Sequence, residues 1–162
     1  ADAALAGIVP TAANQQRLSF STPYLRRPAK FLIGRARRAE VGVVAGSVHE
    51  AMGRALFADR TWLTFASVAE LEAALLSAKV GSAFGDGLSL GLWASSPAAS
   101  KCCVVAAGAY YLPQLRADAL TIAVARQRDD LRLTLDAALR DIQTSGELND
   151  ILRRHVPFDL FE

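Results

Sequence analysis

The sequence predicts an α/β fold with a mostly parallel sheet, and three observations support this. Short apolar runs of strand character alternate along the chain with segments of helical periodicity. A Ser-x-x-Glu capping box, which opens helices, occurs at Ser47 with Glu50 and again at Ser67 with Glu70. Residues 130–144 repeat apolar side chains with the spacing of an amphipathic helix. Strands that alternate with helices are usually connected in parallel, which gives the predicted class.

The first half of the chain predicts strands separated by short helices. The apolar run 3–9 ends at a proline, and Thr11 can cap a helix over residues 12–17. Residues 18–20 have extended character until the Ser-Thr-Pro-Tyr sequence at 21–24 breaks the pattern. The further predicted elements of this half are strands 31–33, 41–44 and 62–65 and the helix 48–57.

The second half predicts a similar alternation. A helix begins at Val68, because Val68, Leu71 and Leu75 fall on one helical face. Residues 80–86 form a strand that leads into a helix over residues 87–93. The remaining predicted elements are strands 102–106 and 120–125, an irregular segment 108–118 between them, the helix 130–144 and a short helix after Gly146.

Composition limits the possible functions. The chain has 162 residues, 52% of them hydrophobic, enough for the core of one domain or of two small lobes. It has no uninterrupted apolar run of about 18 residues, so no membrane span is expected. The net charge of +2 is too small to indicate a nucleic-acid partner. With two histidines and no Cys-x-x-Cys pattern, neither a metal site nor a cofactor is predicted.

The turn between strand 41–44 and helix 48–57 is the first candidate binding feature. A strand that turns through Gly46 into a helix capped by Ser47 leaves free amides at the carboxyl edge of the sheet. Together with the helix dipole, such amides bind small polar or anionic ligands in open α/β sheets. The alternative is a well-made turn without a ligand.

Asp86 is the second candidate. It ends the predicted strand 80–86 and precedes the predicted helix 87–93. If this carboxylate is buried, it needs a cationic or hydrogen-bonding partner. Alternatively, Asp86 only caps the helix that follows it.

A basic cluster surrounds the predicted strand 31–33. Its positive charge could meet an acidic partner, and the alternative is a solvated face. The cluster lacks the interleaved aromatic residues of a nucleic-acid platform. Its members are Arg26, Arg27, Arg35, Arg37 and Arg38.

No catalytic residue is predicted, and the chain is not expected to be an enzyme. No Ser-His-Asp or Cys-His arrangement can be placed, and His49 lies just after a helix cap. Asp129 and Asp130 begin a helix, where the dipole favours acidic side chains. The neighbouring Cys102 and Cys103 are expected to be buried thiols or an intermolecular bridge, because a bridge between neighbours closes a strained ring.

Four segments in order carry a resemblance to a known family. They are GIVPTAANQQRLSFSTPYL, VGVVAGSVHE, LEAALLSAKVGSAFGD and LTIAVARQRDDLRLTLDAALRDIQTSGELNDILRRH. Over residues 3–155 the chain resembles the bacterial extracellular solute-binding proteins of family 3, the type II periplasmic binding proteins of polar amino-acid uptake. The resemblance implies two α/β lobes, joined by crossover strands, that close on a small polar ligand. It also implies a periplasmic location and a membrane permease of the ABC type as partner.

The resemblance implies a division of the chain into three parts. Residues 1–26 match a remnant of lobe 1 and the first crossover, and residues 27–126 match a complete lobe 2. Residues 127–162 match the second crossover and the C-terminal helices that return to lobe 1. Members of the family usually have several βα units before the position of Ala1. We therefore expect either a fragment or a first lobe that another chain completes.

In lobe 1, the resemblance implies a changed ligand site. Amino-acid binders of the family hold the ligand α-carboxylate with an arginine three residues after a threonine, because a guanidinium makes two parallel hydrogen bonds with it. Counted from Thr11, this position is Asn14. Arg17 is the nearest cation and is expected on a different face. The family's hydroxyl two residues before the threonine is replaced by Val9.

In lobe 2, the implied site is better preserved. Ser47 matches the hydroxyl residue that meets the carboxylate, although Val48 replaces a commonly polar neighbour. Asp86 matches the carboxylate that receives the ligand ammonium group. The predicted ligand contacts are thus Asn14, Arg17, Ser47, Val48 and Asp86. The ligand is then an amine-bearing or amino-acid-like molecule, or the lobe serves as a sensory or accessory protein-interaction module.

Overall fold

The computed structural model describes residues 2–5, 7–8, 10–111 and 119–162, and it confirms the α/β class. The strands are β1 (Ala3–Ala4), β2 (Leu18–Phe20), β3 (Leu25–Arg26), β4 (Ala29–Ile33), β5 (Val41–Val44), β6 (Trp62–Phe65), β7 (Ser82–Asp86), β8 (Val104–Val105), β9 (Ala119–Leu120) and β10 (Ala123–Ala125). The helices are α1 (Val48–Leu56), α2 (Val68–Leu76), α3 (Gly87–Ala94), α4 (Asp129–Thr144) and α5 (Glu147–His155), with a 3₁₀ turn at Asn14–Gln16.

The N-terminal elements are shorter than predicted. The strand expected over residues 3–9 is formed at Ala3–Ala4, and positions 6 and 9 of that prediction lie outside the described residues. The expected helix 12–17 is a single 3₁₀ turn. Thr11 and Asn14 cap each other there, since each backbone amide donates to the other residue's side chain, at 2.8 and 3.2 Å. Reciprocal capping satisfies one turn without a longer helix.

The chain forms two compact units. Unit 1 comprises Ala1–Arg27 and Pro113–His155, and unit 2 comprises Pro28–Leu112 and Val156–Glu162. The expected lobe 2 covered residues 27–126, whereas the first part of unit 2 ends at Leu112. The difference arises because strands β9 and β10, which lie after Leu112, pair with strands of unit 1. The last seven residues were expected with lobe 1, yet they belong to unit 2.

Unit 2 contains a five-stranded sheet in the order β6-β5-β7-β4-β8. Strands β6, β5 and β7 are parallel, whereas β4 is antiparallel to both β7 and β8. The prediction of a mostly parallel sheet was therefore wrong. The loop 34–40 contains no helix and is too short for a parallel crossover, so β5 runs antiparallel to β4.

The core of unit 2 packs α2 and α3 against this sheet. A Cβ atom on Gly42 of β5 would lie 2.4 Å from the side chain of Leu71, so the helix approaches the strand too closely for any larger residue. The same holds for Gly91 of α3, where a Cβ atom would lie 2.1 Å from the ring of Phe158. The buried cluster is Leu32, Phe65, Leu71, Ala74, Leu75, Val80, Ala83, Leu90, Ala94 and Cys103.

The segment Val156–Glu162 is held on unit 2 by apolar and polar contacts. Besides Phe158, it buries Leu160, which is 4% exposed. The buried Lys30 donates from Nζ to the main-chain oxygen of Glu162. Burial lowers the pKa of Lys30, and the negative charges of Asp159 and Glu162 act in the opposite direction.

Unit 1 contains the antiparallel sheet β1-β10-β2 and the strand pair β3-β9, and α4 packs on β10 and β2. A buried carboxylate connects these parts. Asp136 of α4 accepts hydrogen bonds from the Thr22 amide at 2.7 Å and from Arg132 at 2.7 Å. The segment that follows β2 is thereby tied to the helix.

Cys102 and Cys103 form a disulfide with each other, so the prediction of buried thiols or an intermolecular bridge was wrong. Both cysteine amides donate to the carbonyl of Ala99, at 2.8 and 3.0 Å, in a succession of tight turns. This local backbone conformation brings the two side chains together. In the described part of the chain, no helix is both long enough and apolar enough to cross a membrane.

Candidate ligand-binding site

Of the predicted capping box at Ser47, the serine half is formed, whereas the glutamate side chain binds the amide that precedes Ser47. Ser47 Oγ accepts from the Glu50 amide at 3.1 Å and donates to the Val44 carbonyl at 2.7 Å. Glu50 in turn accepts from the Gly46 amide at 2.8 Å. This hydrogen bond, followed by that from Arg54, holds the pKa of Glu50 below its usual value. Of the amides that a helix leaves unpaired at its start, Ser47 thus satisfies that of Glu50.

Gly46 leaves open space in front of this turn. Its φ of +67° is in the left-handed region that favours glycine. A Cβ atom built on Gly46 would have nothing within 4 Å, whereas a Cβ on Gly42, in the strand below, would meet Leu71. The turn at the carboxyl end of β5, beside the N-terminus of α1, is therefore open to solvent.

Asp86 caps α3, as one of its two interpretations predicted. Its Oδ1 accepts from the amide of Ser89 at 2.8 Å and from the hydroxyl of Ser89 at 2.7 Å. The side chain is half-buried at the end of β7. Capping accounts for these two contacts without excluding a ligand.

The sheet brings Asp86 and the Ser47 turn to one edge. Strands β5 and β7 are parallel neighbours in which Val41 pairs with Ser82 and Gly42 with Ala83. Extending this register places Asp86 level with Ala45, one strand away. Val48, the first residue of α1, is half-buried at the same edge.

This edge combines charges of both signs. The N-terminus of α1 carries the positive end of a helix dipole, which favours anionic groups. Asp86 contributes a carboxylate, which favours an ammonium or guanidinium group. The arrangement suits a small molecule that has a cationic group near a polar or anionic one.

The predicted contacts of unit 1 lie together in that unit. Asn14 and Arg17 both line a pocket of about 780 Å³ whose wall includes β1 and β10. Arg17 follows the 3₁₀ turn, and its position on a different face from Asn14 stays a prediction, because Ala13 and Gln16 line the same pocket. Arg17 is exposed, and Asn14 Oδ1 accepts from the Thr11 amide. Val9, the position expected to lack the family's hydroxyl, lies outside the described residues.

The sequence did not predict the other polar residues of this pocket. Asp2, Gln16 and Gln127 line it as well, and Asp2 lies 3.4 Å from Arg128. The pocket forms because β1 pairs with β10, which joins residues more than a hundred positions apart. Strands of two and three residues have no periodicity that could have revealed this pairing.

In the described part of the chain, no three His, Cys, Asp or Glu side chains form a group suited to a metal ion.

Solved structures share the fold over nearly the whole chain. The second substrate binding domain of a Streptococcus pneumoniae protein has a TM-score of 0.78 at 17% identity, covering 96% of this chain and 73% of that one. An amino acid ABC transporter substrate-binding protein from the same species, bound to L-arginine, has a TM-score of 0.62 at 20% identity, covering 99% and 69%. An arginine 3rd transport system periplasmic binding protein from Legionella pneumophila has a TM-score of 0.61 at 14% identity, covering 95% and 72%.

At these identities the likeness establishes the fold, that of a type II periplasmic binding protein. No curated protein matches the chain. The model of the bacterial extracellular solute-binding proteins, family 3, matches residues 1–158, and the chain therefore belongs to that family.

Proposed function

We propose that the chain is the solute-binding component of a bacterial ABC-type uptake system and delivers a small amine-bearing or amino-acid-like molecule to a membrane permease. Membership of the family supports solute binding. The amino acid ABC transporter substrate-binding protein from Streptococcus pneumoniae, whose fold this chain shares, is bound to L-arginine, which supports a ligand with a cationic group. A periplasmic location is part of this proposal.

The observation that carries the proposal is that Asp86 and the Ser47 turn lie at the carboxyl ends of two adjacent parallel strands, β7 and β5. In the proposal, Asp86 receives the ligand's ammonium group. The N-terminus of α1, with Ser47 and Val48, receives a polar or anionic group of the ligand. Asp86 keeps its capping role, since a carboxylate has room for more than two hydrogen bonds.

Asn14 and Arg17 are proposed as the contacts of unit 1. An asparagine amide has two N–H donors on one nitrogen, which do not form the two parallel hydrogen bonds that a guanidinium makes with a carboxylate. We therefore propose that the ligand is held mainly by its cationic group. Amines and cationic amino acids are the first candidates.

Thermal denaturation of the protein with a panel of amines and amino acids tests the proposal. A ligand that binds the folded state raises the melting temperature with its concentration. Asp86→Asn should abolish this shift and leave the ligand-free melting temperature nearly unchanged, because asparagine caps helices as well as aspartate does. A panel that produces no shift would argue against solute binding, and an unaltered shift in Asp86→Asn would remove Asp86 from the site.

A matched pair of serines provides the control. Ser67 caps α2 as Ser47 caps α1, since Ser67 Oγ accepts a hydrogen bond from the Glu70 amide at 3.2 Å. Both Ser→Ala variants lose a cap, but only Ser47→Ala should weaken ligand binding. If both variants weaken it equally, loss of stability rather than loss of a contact is responsible.

A second candidate function is a sensory or accessory module of the same fold that docks a protein. It is favoured by Asn14, which stands where the family resemblance implies an arginine. For this candidate, no small molecule of the panel shifts the melting temperature.

A further inference from the structure

The edge of the unit 2 sheet opposite Asp86 carries an excess of positive charge. Strands β5, β6 and β7 begin at this edge, β4 ends there, and β8 begins there because Ile33 pairs with both Ser82 and Val104. The loops that meet there are residues 34–40, 57–61, 77–81 and 95–103. They carry the basic residues Arg35, Arg37, Arg38, Arg60, Lys79 and Lys101 and the acidic residues Glu40 and Asp59. We call these four loops the basic edge.

The positive charges of the basic edge are exposed and not neutralised within the protein. All six basic side chains are exposed, and none forms an ion pair with a residue that the structure describes. In contrast, Arg54, Arg128, Arg132 and Arg153 each have an acidic partner. Six basic and two acidic residues at one edge leave an excess of positive charge, and such an excess produces a field that attracts an anionic partner.

The loop that carries three of the arginines has a fixed backbone. The Gly34 amide donates to the Gly81 carbonyl at 2.9 Å, and the Gly81 amide donates to the Glu40 carbonyl at 3.0 Å. A Cβ atom on Gly81 would lie 2.0 Å from the Arg38 carbonyl oxygen, so the two loops are in close contact. A partner of this loop would have little backbone to order on binding.

Exposed aliphatic side chains accompany the charges. Ile33 and Val104 are cross-strand neighbours and are 41% and 65% exposed. Ile33 is two residues from Arg35, and Val104 is three residues from Lys101. Basic residues beside exposed aliphatic ones match an anionic bilayer, whose headgroups attract the charges while its interface accepts the apolar side chains.

We propose that the basic edge docks unit 2 peripherally on an anionic phospholipid surface. A bilayer requires an excess of positive charge and some exposed aliphatic area at one edge, and both are present. An acidic protein surface would use the arginines but would require a complementary shape around Ile33 and Val104. The membrane is therefore the partner to which the charges and the aliphatic pair point together.

Vesicle flotation tests the proposal on the full chain. Wild-type protein should float with vesicles that contain phosphatidylglycerol and not with pure phosphatidylcholine, and high salt should release it. Each basic residue near an anionic surface strengthens binding roughly fivefold. The variant R35S/R37S/R38S should therefore bind roughly a hundredfold more weakly. The control R140S/R153S/R154S removes the same charge from exposed positions of unit 1 and should bind like the wild type.

A second experiment tests the aliphatic pair Ile33 and Val104. I33S/V104S should weaken binding to anionic vesicles at a salt concentration where the arginines alone no longer hold the protein on the vesicles. The proposal is overturned if wild-type protein does not float with anionic vesicles, or if the unit 1 control weakens binding as much as R35S/R37S/R38S does. Binding of poly-glutamate without binding of vesicles would make the partner an acidic polypeptide and would also overturn it.

Discussion

Units 1 and 2 are stabilised by different kinds of buried contact. In the described part of the chain, unit 2 buries a continuous apolar cluster that includes Leu71 and Phe65. Unit 1 buries fewer apolar side chains together with the polar residues Ser21, Thr121 and Asp136, whereas the buried polar side chain of unit 2 is Lys30. Apolar burial is not directional, so unit 2 depends on packed volume. A buried carboxylate depends on its hydrogen-bond partners, so unit 1 depends on a few specific atoms.

The largest expected change in the free energy of unfolding follows from the loss of a core leucine in unit 2. Leu71→Ala removes a side chain that is 2% exposed and should reduce the free energy of unfolding by about 3 kcal/mol or more. The counterpart in unit 1 is Leu139→Ala, at 7% exposure in the smaller core, with an expected loss of about 2 kcal/mol. Urea denaturation measures both. A larger loss for Leu139→Ala would reverse the comparison.

The next effect tests the dependence of unit 1 on a buried carboxylate. Asp136→Ala leaves the Thr22 amide and Arg132 without this acceptor and should cost about 2 kcal/mol in the free energy of unfolding. Asp129→Ala is the control, because Asp129 contacts the same Arg132 at 2.6 Å but is 59% exposed. It should change stability much less. Equal effects would mean that the ion pair, and not burial, determines the contribution of Asp136.

The sequence located the helices of both units better than the pairing of their strands, for a physical reason. In unit 2, α1 and α2 begin at Ser-x-x-Glu motifs, and in unit 1 the apolar spacing of residues 130–144 predicted α4, so local side-chain patterns suffice to locate these helices. The prediction of strand 62–65 and of helix starts at Val48 and Val68 agreed with the structure. The antiparallel position of β4 was missed, because pairing between distant strands has no local signal in apolar runs.

In unit 1 the informative contacts are between residues far apart in the sequence. Asp136 lies 114 positions from Thr22, and β1 pairs with β10. Neither contact follows from periodicity. The proposed site shows the same contrast between local and distant contacts. The capping roles of Ser47 and Asp86 were predicted from their spacing in the sequence, whereas the pocket around Asn14 could be found only from the folded structure.

A smaller change in the free energy of unfolding is expected from the loss of either serine cap in unit 2, at α1 or at α2. Ser47→Ala and Ser67→Ala should each reduce the free energy of unfolding by about 1 kcal/mol, since each removes the acceptor for a helix amide. Ser47 also donates to Val44, so its loss should be the larger of the two. Thermal or urea denaturation gives both values. A larger loss at Ser67 would mean that the bond to Val44 contributes little.

The smallest effect is the pH dependence of stability that arises from two carboxylates in the first turn of a helix, one in each unit. The Gly46 amide and then Arg54 lower the pKa of Glu50, and Arg132 lowers the pKa of Asp129. A carboxyl group with a lowered pKa in the folded state stabilises the protein above its ordinary pKa, and this contribution is lost as the pH falls through the lowered value. Between about pH 5 and pH 3, the wild type should therefore lose more stability than Glu50→Gln or Asp129→Asn.

Salt separates these two contributions. Asp129 owes its shift first to a side-chain partner, Arg132, whereas Glu50 owes its shift first to a backbone amide whose position the turn fixes. Salt screens pairs of exposed charges but leaves a short hydrogen bond to the backbone largely intact. Raising the salt concentration should therefore reduce the pH-dependent difference for Asp129→Asn more than for Glu50→Gln. Equal reductions would show that Arg54, rather than the Gly46 amide, controls Glu50.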